Sequence, residues 1–271
     1  MLLKGIAAVS AVLAVLSALS GNLWMVPVYF ITCFLVLALV TLVFLLIACQ
    51  FVDLEKEQEK DSKFYRAVMY VYIEALMNLV LVRLHTSGLE KTPREGRFLL
   101  VCNHLFLADP GIVLHAFRKS QLAFISKKEN MELPVINKFL HKTMCQMLER
   151  DNDRQALKVI LKCIQLIKED EVSVGVFPEG YTSKDGKIHP FRNGVFKIAQ
   201  KTNVPIVVCT IQGTREIFHN LKKLKRTDVH LHLVEVIPAE ELKGKSTAEI
   251  GSRVYETMIG DLGEEWRYIE K

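Results

Sequence analysis

Charge is all but missing from the start of the chain. Among residues 1–52, Lys4 is the one Lys, Arg, Asp or Glu. That excludes a water-facing N-terminal domain, whose surface needs charged side chains. Paired cysteines are missing too. The six cysteines, at 33, 49, 102, 145, 163 and 209, contain no C-x-x-C pair, and each lies among apolar residues. This argues against a disulfide framework or a zinc site, and for buried reduced thiols in a cytosolic compartment. There is no G-x-S-x-G, so a serine nucleophile on a strand-to-helix turn is excluded. Aromatic residues do not interleave with basic ones, and the net charge is only +5, which speaks against nucleic acid as a partner.

What is present is a chain of 271 residues, 50% of them hydrophobic, enough for one large domain and an accessory segment. Leu2 to Ser20 is apolar apart from Lys4, which can snorkel to an interface. Gly21 and Asn22 break the run. Leu23 to Cys49 is a second uncharged stretch, longer than the roughly 20 residues a spanning helix needs. Residues 1–50 are therefore expected to form a membrane-anchoring helical hairpin with both ends on one side. A cleavable leader is the competing reading for the first 20 residues, and the second run would hold the protein in the membrane even then. The flank after Cys49 mixes Lys56, Lys60, Lys63 and Arg66 with five acids. Counting only the basic residues places this flank on the cytoplasmic side of the cell membrane. Residues 51–82 read as a charged linker and a helix capped by Asp61 or Ser62. On that helix Arg66, Tyr70, Glu74 and Asn78 form a narrow stripe on an apolar background. It suits an interfacial helix or one packed under the next domain, and a third span is disfavoured by Arg66 and Glu74.

From 83 to 271, short apolar runs alternate with helical patterns. Strands are expected at 82–86, 97–102, 122–125, 145–149, 172–177, 206–211 and 229–237. Helices are expected at 110–117, 132–142, 153–168, 193–202 and 246–260. That alternation predicts an α/β fold, a mixed, mostly parallel sheet covered by helices. Such sheets bind ligands beyond the carboxyl ends of their strands. Two loops there carry chemistry. In FLLVCNHLFLADPG, the strand delivers Asn103 and His104, and Asp109-Pro110 opens a helix. Residues five apart do not meet on a helix face, so His104 and Asp109 can touch only if the chain bends between them. Asp109 suits the N-cap and Pro110 the first helical position. In VGVFPEGYTSKDGKIHPFRNG, Glu179-Gly180 follows a strand and a Pro turn, and Arg192 stands near a helix start.

These blocks resemble the glycerolipid acyltransferases, of which the 1-acyl-sn-glycerol-3-phosphate acyltransferases are the familiar members. NHLFLAD is similar to their N-H-x-x-x-x-D block, FPEG to the core of F-P-E-G-T-R-S, and the segments at 191–194 and 204–207 to the blocks that follow. The resemblance runs from about Gly88 to about Arg215. It implies transfer of a fatty acyl group from acyl-CoA or acyl-carrier protein to the hydroxyl of 1-acyl-glycerol-3-phosphate, giving phosphatidate for phospholipid synthesis. It implies His104 as general base and Asp109 as its orienting carboxylate, with no covalent nucleophile, no cofactor and no metal. Asn103, Arg150, Glu179, Gly180 and Arg192 are then the expected substrate-binding residues, with Gly180 and neighbouring N–H groups suited to an oxyanion. Lys127, Lys128 and Arg215 stand behind them.

The sequence departs from the pattern at Tyr181-Thr182, where the family has Thr-Arg, and at Val208, where it has a second proline. The missing arginine is associated with the acceptor's phosphate, which keeps open a different lysolipid acceptor. A non-catalytic membrane lipid-binding protein is the alternative from another class. Lys222, Lys223, Lys225 and Arg226 suit anionic lipid headgroups. His230 and His232 alternate on a strand with no third ligand nearby, which does not make a metal site.

Overall fold

The computed structural model describes residues 1–18, 23–149 and 153–269. Their elements run α1 (Leu2–Ala18), α2 (Val26–Gln50), α3 (Lys63–Leu79), β1 (Val82–Ser87), β2 (Leu99–Cys102), α4 (Asp109–Ala116), β3 (Leu122–Lys127), α5 (Ile136–Lys142), β4 (Gln146–Leu148), α6 (Asp153–Lys168), β5 (Ser173–Val176), α7 (Lys197–Thr202), β6 (Ile206–Gln212), α8 (Ile217–Lys222), β7 (Thr227–Ile237) and α9 (Thr247–Leu262).

The sheet has seven strands in the order β1-β7-β6-β2-β5-β3-β4. Only the β6–β7 pairing is antiparallel, so β6, β2, β5, β3 and β4 all end at one edge of the sheet. The fold is the mixed, mostly parallel α/β sheet that the alternation predicts. Its middle strands are buried on both faces, which is why they read as unbroken apolar runs. Strand β7 alternates buried and exposed residues because one of its faces is open. Leu100 and Cys102 of β2 point to a core shared with α3, α4, α5 and α8. Leu99 and Val101 point to a second core under α6, α7 and α9.

Glycine has a packing role inside β5. A Cβ on Gly175 would lie 2.8 Å from the ring of Phe124 on neighbouring β3. The glycine therefore makes room for that ring.

The apolar N-terminal segment forms α1 and α2, which pack on each other. The stretch Leu23–Gln50 is long and apolar enough to cross a membrane. Helix α3 lies along the base of α2, antiparallel to it. The Tyr65 hydroxyl donates to the Ala48 carbonyl at 2.9 Å, and the Tyr72 hydroxyl donates to the Thr41 carbonyl. Ser62 caps α3, accepting from the Tyr65 N–H. Arg66 turns inward and is 4% exposed. Its guanidinium holds the Asp61 carboxylate at 2.6–3.0 Å and donates to the carbonyls of Leu122 and Thr143. The arginine thus locks α3 beneath the sheet.

Candidate active site

The site is built at the sheet edge where β2 and β5 end side by side. At the end of β2 the carboxamide of Asn103 takes over the backbone's role. It accepts the Ile211 N–H at 2.8 Å and donates to the Ile211 carbonyl at 3.0 Å. Asn103 is fully buried, and both its polar ends are engaged by β6. This corrects its expected role in substrate binding: it fixes the height at which the next residue leaves the sheet.

That residue is His104. The loop after it folds back onto Asp109. One carboxylate oxygen, Oδ2, accepts from His104 Nδ1 at 2.9 Å, from the Leu105 N–H at 2.6 Å and from the Phe106 N–H at 2.7 Å. Asp109 is the first residue of α4 and does not cap it, contrary to expectation. Ala108 holds the cap position without a side-chain bond. The carboxylate instead closes the preceding loop, which supplies the bend that the spacing requires. A carboxylate only accepts, so Nδ1 carries the ring proton and Nε2 presents its lone pair outward. The ring plane is fixed as well. His104 stacks on Phe177 at 4.3 Å between centroids, and Phe177 stacks on Phe124 at 5.0 Å.

The second loop leaves β5 through a turn closed by the Gly180 N–H donating to the Phe177 carbonyl at 3.0 Å, with Pro178 in the favoured second place. Gly180 has φ +79°, a conformation that favours glycine, and a Cβ there would sit 3.0 Å from Arg192 Nε. Glu179 is 1% exposed. Its Oε1 accepts the His104 N–H and its Oε2 the His189 N–H, each at 3.0 Å. This carboxylate is a bridge between two loops. Burial pushes its pKa up to about 7. The two N–H bonds oppose that shift, and the charges of Asp185 and Asp109 add to it. The loops are joined again where the Ser183 N–H donates to the His104 carbonyl at 2.8 Å. Beyond it, Asp185 ties the tip of the loop. Burial pushes this carboxyl up, but the Lys187 N–H, His189 and Ser183 hold it down at about 2.

Thr182 completes the site. Its Oγ1 is 3.1 Å from His104 Nε2. Because Nε2 is the acceptor, the threonine hydroxyl donates to it. The N–H groups of Tyr181 and Thr182 meet no acceptor among the described residues, and Gly180 N–H is occupied by its turn. Of the backbone donors at 180–182, those of 181 and 182 are therefore the ones without an acceptor among the described residues.

The structure thus brings together His104, Asp109, Glu179 and Gly180, and lays Arg192 over Gly180. Arg150 lies outside the described residues. Lys128 pairs with Glu149, and Arg215 donates to the Lys184 carbonyl at the loop's outer side. Among the described residues no three His, Cys, Asp or Glu side chains converge as metal ligands would. Thr182, Phe177 and His189 are the residues that reading the sequence missed. Thr182 registered only as the place of a lost arginine.

A model of the acyltransferase family matches residues 83–212, the span that holds both loops. The chain has curated relatives in plants and bacteria. A chloroplastic 1-acyl-sn-glycerol-3-phosphate acyltransferase of Brassica napus is 36% identical over 132 residues, covering 48% of this chain and 38% of that one. A 1-acyl-sn-glycerol-3-phosphate acyltransferase of Borreliella burgdorferi is 25% identical over 187 residues, covering 68% of this chain and 74% of its own. The match thus spans well under two thirds of the plant relative and about three quarters of the bacterial one. The crystal structure of the 1-acyl-sn-glycerophosphate acyltransferase of Thermotoga maritima superposes with a TM-score of 0.63 at 25% identity, over 84% of this chain and 89% of that chain.

Proposed function

We propose that the protein transfers a fatty acyl group from an acyl thioester, carried by CoA or acyl-carrier protein, to the free hydroxyl of 1-acyl-sn-glycerol-3-phosphate. The product is phosphatidate, made for phospholipid synthesis on the cytoplasmic side of the cell membrane. One observation carries this reading: His104 is held by Asp109 through Nδ1 and offers Nε2 to a hydroxyl. In this reading Nε2 takes the proton from the attacking hydroxyl. Asp109 stabilises the imidazolium that results, as carboxylates do in catalytic triads. In this reading the Tyr181 and Thr182 N–H groups, which meet no acceptor among the described residues, receive the oxyanion of the tetrahedral intermediate. The imidazolium then returns its proton to the departing thiolate. Arg192 beside Gly180, together with Arg150, is the candidate for holding the acceptor's phosphate. The names of the relatives support the same acceptor and reaction.

A second acceptor class is favoured by one feature, Thr182 in the family's arginine position. The test is an acceptor panel of lysophosphatidate and neutral or zwitterionic lysolipids, with radiolabelled acyl-CoA, on wild type and His104→Ala. Transfer to lysophosphatidate that disappears in His104→Ala, with the thermal melt preserved, is the expected result. Transfer to other lysolipids alone would replace the acceptor. A His104→Ala protein of near-normal activity would remove the imidazole from the mechanism.

A further inference from the structure

We propose that Arg267 and Tyr268, in the segment that follows α9, are positioning residues for the site, holding the second loop where Glu179 can grip His104. Residues 178–192 connect β5 to the next helical turn as a run of turns and bends. Such a loop takes its shape from the partners of its backbone groups. At its far end Ile188 is fully buried, and both its backbone groups are paired outside the loop. Its N–H donates to the Trp266 carbonyl at 2.8 Å. Its carbonyl accepts the Tyr268 N–H at 3.3 Å and the Tyr255 hydroxyl at 3.0 Å. Ile188 and Arg267 thereby pair in parallel, as one rung of a sheet. The imidazole of the next residue, His189, lies on the ring of Tyr268 with 4.2 Å between centroids. The N–H of that same His189 donates to Glu179 Oε2, and Glu179 Oε1 accepts the His104 N–H. A continuous path from Tyr268 through His189 and Glu179 thus reaches the residue that carries the candidate base.

Arg267 anchors the segment. Its guanidinium holds the carboxylates of Glu256 and Glu264 at 2.7–3.0 Å and lies 5.5 Å from the centre of the Tyr255 ring. Tyr255 packs edge-on against Phe191 at 5.3 Å, one residue before Arg192, whose N–H returns to the Pro178 carbonyl at 2.8 Å. The segment and α9 therefore grip the loop at 188, 189 and 191, and its other side, at 182 and 183, meets His104. The acids that hold Arg267 are exposed, and exposed ion pairs add little to global stability. Their loss should be felt in the placement of the loop, where an error of about 1 Å can cost about 10²-fold in rate.

This inference rests on the acyl transfer proposed above, and one arm of its test does not need that activity. In the full chain in detergent, Tyr268→Ala and Arg267→Ala should each lower kcat by about 10–100-fold, with the KM values and the thermal melt close to wild type. Tyr268→Phe keeps the ring and should restore kcat. Ile269→Ala, at the exposed neighbour, should change nothing. Tyr268→Ala combined with His189→Ala should cost no more than the larger single change, because both remove one contact. The second arm is hydrogen exchange read by mass spectrometry without substrate. Peptides covering 178–191 and 104–106 should exchange faster in Tyr268→Ala, and those of β3 should not. Wild-type kcat in the protein carrying both Arg267→Ala and Tyr268→Ala overturns the proposal, as does unchanged exchange in both peptides. A fall in kcat that tracks a falling melting temperature also overturns it, since the contacts would then be structural only. Faster exchange at 104–106 in a protein whose wild type transfers no acyl group would sustain the positioning and overturn the activity.

Discussion

Replacing Glu179 by Gln should change how the protein's stability depends on pH. The side chain is buried and its carboxyl pKa is raised to about 7 from 4.5. Below about pH 4.5 the group is protonated whether the chain is folded or not. Between about 4.5 and 7 the unfolded chain releases this proton and the folded one keeps it. Stability from this group is therefore full below the unfolded value and is lost as pH rises through the folded one. At 1.36 kcal/mol per pH unit, the loss is on the order of 3 kcal/mol. Glutamine does not titrate, so the wild-type advantage over Glu179→Gln should shrink by that amount across the window. In melting temperature this is about 6–12 °C, at roughly 2–4 °C per kcal/mol for a domain of this size. The amide also turns an N–H towards either His104 or His189, breaking one of the two bridging bonds. The variant should start below wild type at pH 4.5 by about 1–3 kcal/mol. Thermal melts of both proteins at half-unit steps from pH 4 to 8 give the difference directly. A wild-type-minus-variant curve that stays flat over that range would refute the argument that burial dominates at Glu179.

Other substitutions probe the neighbouring parts. Asp109→Asn keeps an acceptor for the Leu105 and Phe106 N–H groups but removes the charge behind the imidazole, so transfer should fall about 10³–10⁴-fold in single-turnover assays with the fold intact. Asn103→Ala leaves both backbone groups of Ile211 without their partner and should lower stability by about 2–4 kcal/mol in denaturant titrations. Arg66→Met strands a buried Asp61 carboxylate and should destabilise the protein by about 3–5 kcal/mol, whereas the same change at exposed Lys223 should leave the melt unmoved.

The strands were legible because burial on both faces leaves a continuous apolar run, as in Leu99–Cys102 and Ile206–Gln212. Helix ends were less so. The expected helix at 132–142 begins only at Ile136, because Pro134 keeps Leu133 extended and Val135 adopts φ +71°. Helix α8 had only six residues to show a period. The His104–Asp109 pair could be read locally, since strand end, bend and Asp-Pro all lie within a few residues. The duties of Asn103 and Glu179 could not. Their partners are Ile211 and His189, and nothing near either residue in the chain announces them. Thr182 was counted as an absence because its importance lies in a contact with a histidine 78 positions away.

The hydrogen that stands in place of a side chain at Gly175 has an evolutionary consequence. It admits the ring of Phe124, on which Phe177 lies, and Phe177 in turn carries the imidazole. A methyl group at 175 would therefore be felt at residue 104 through two intervening rings. Position 175 is free to change only in company with position 124, where a smaller side chain would have to arrive first. In descendants of this chain the two sites should drift together or not at all, and a substitution harmless in one lineage should disable the histidine in another.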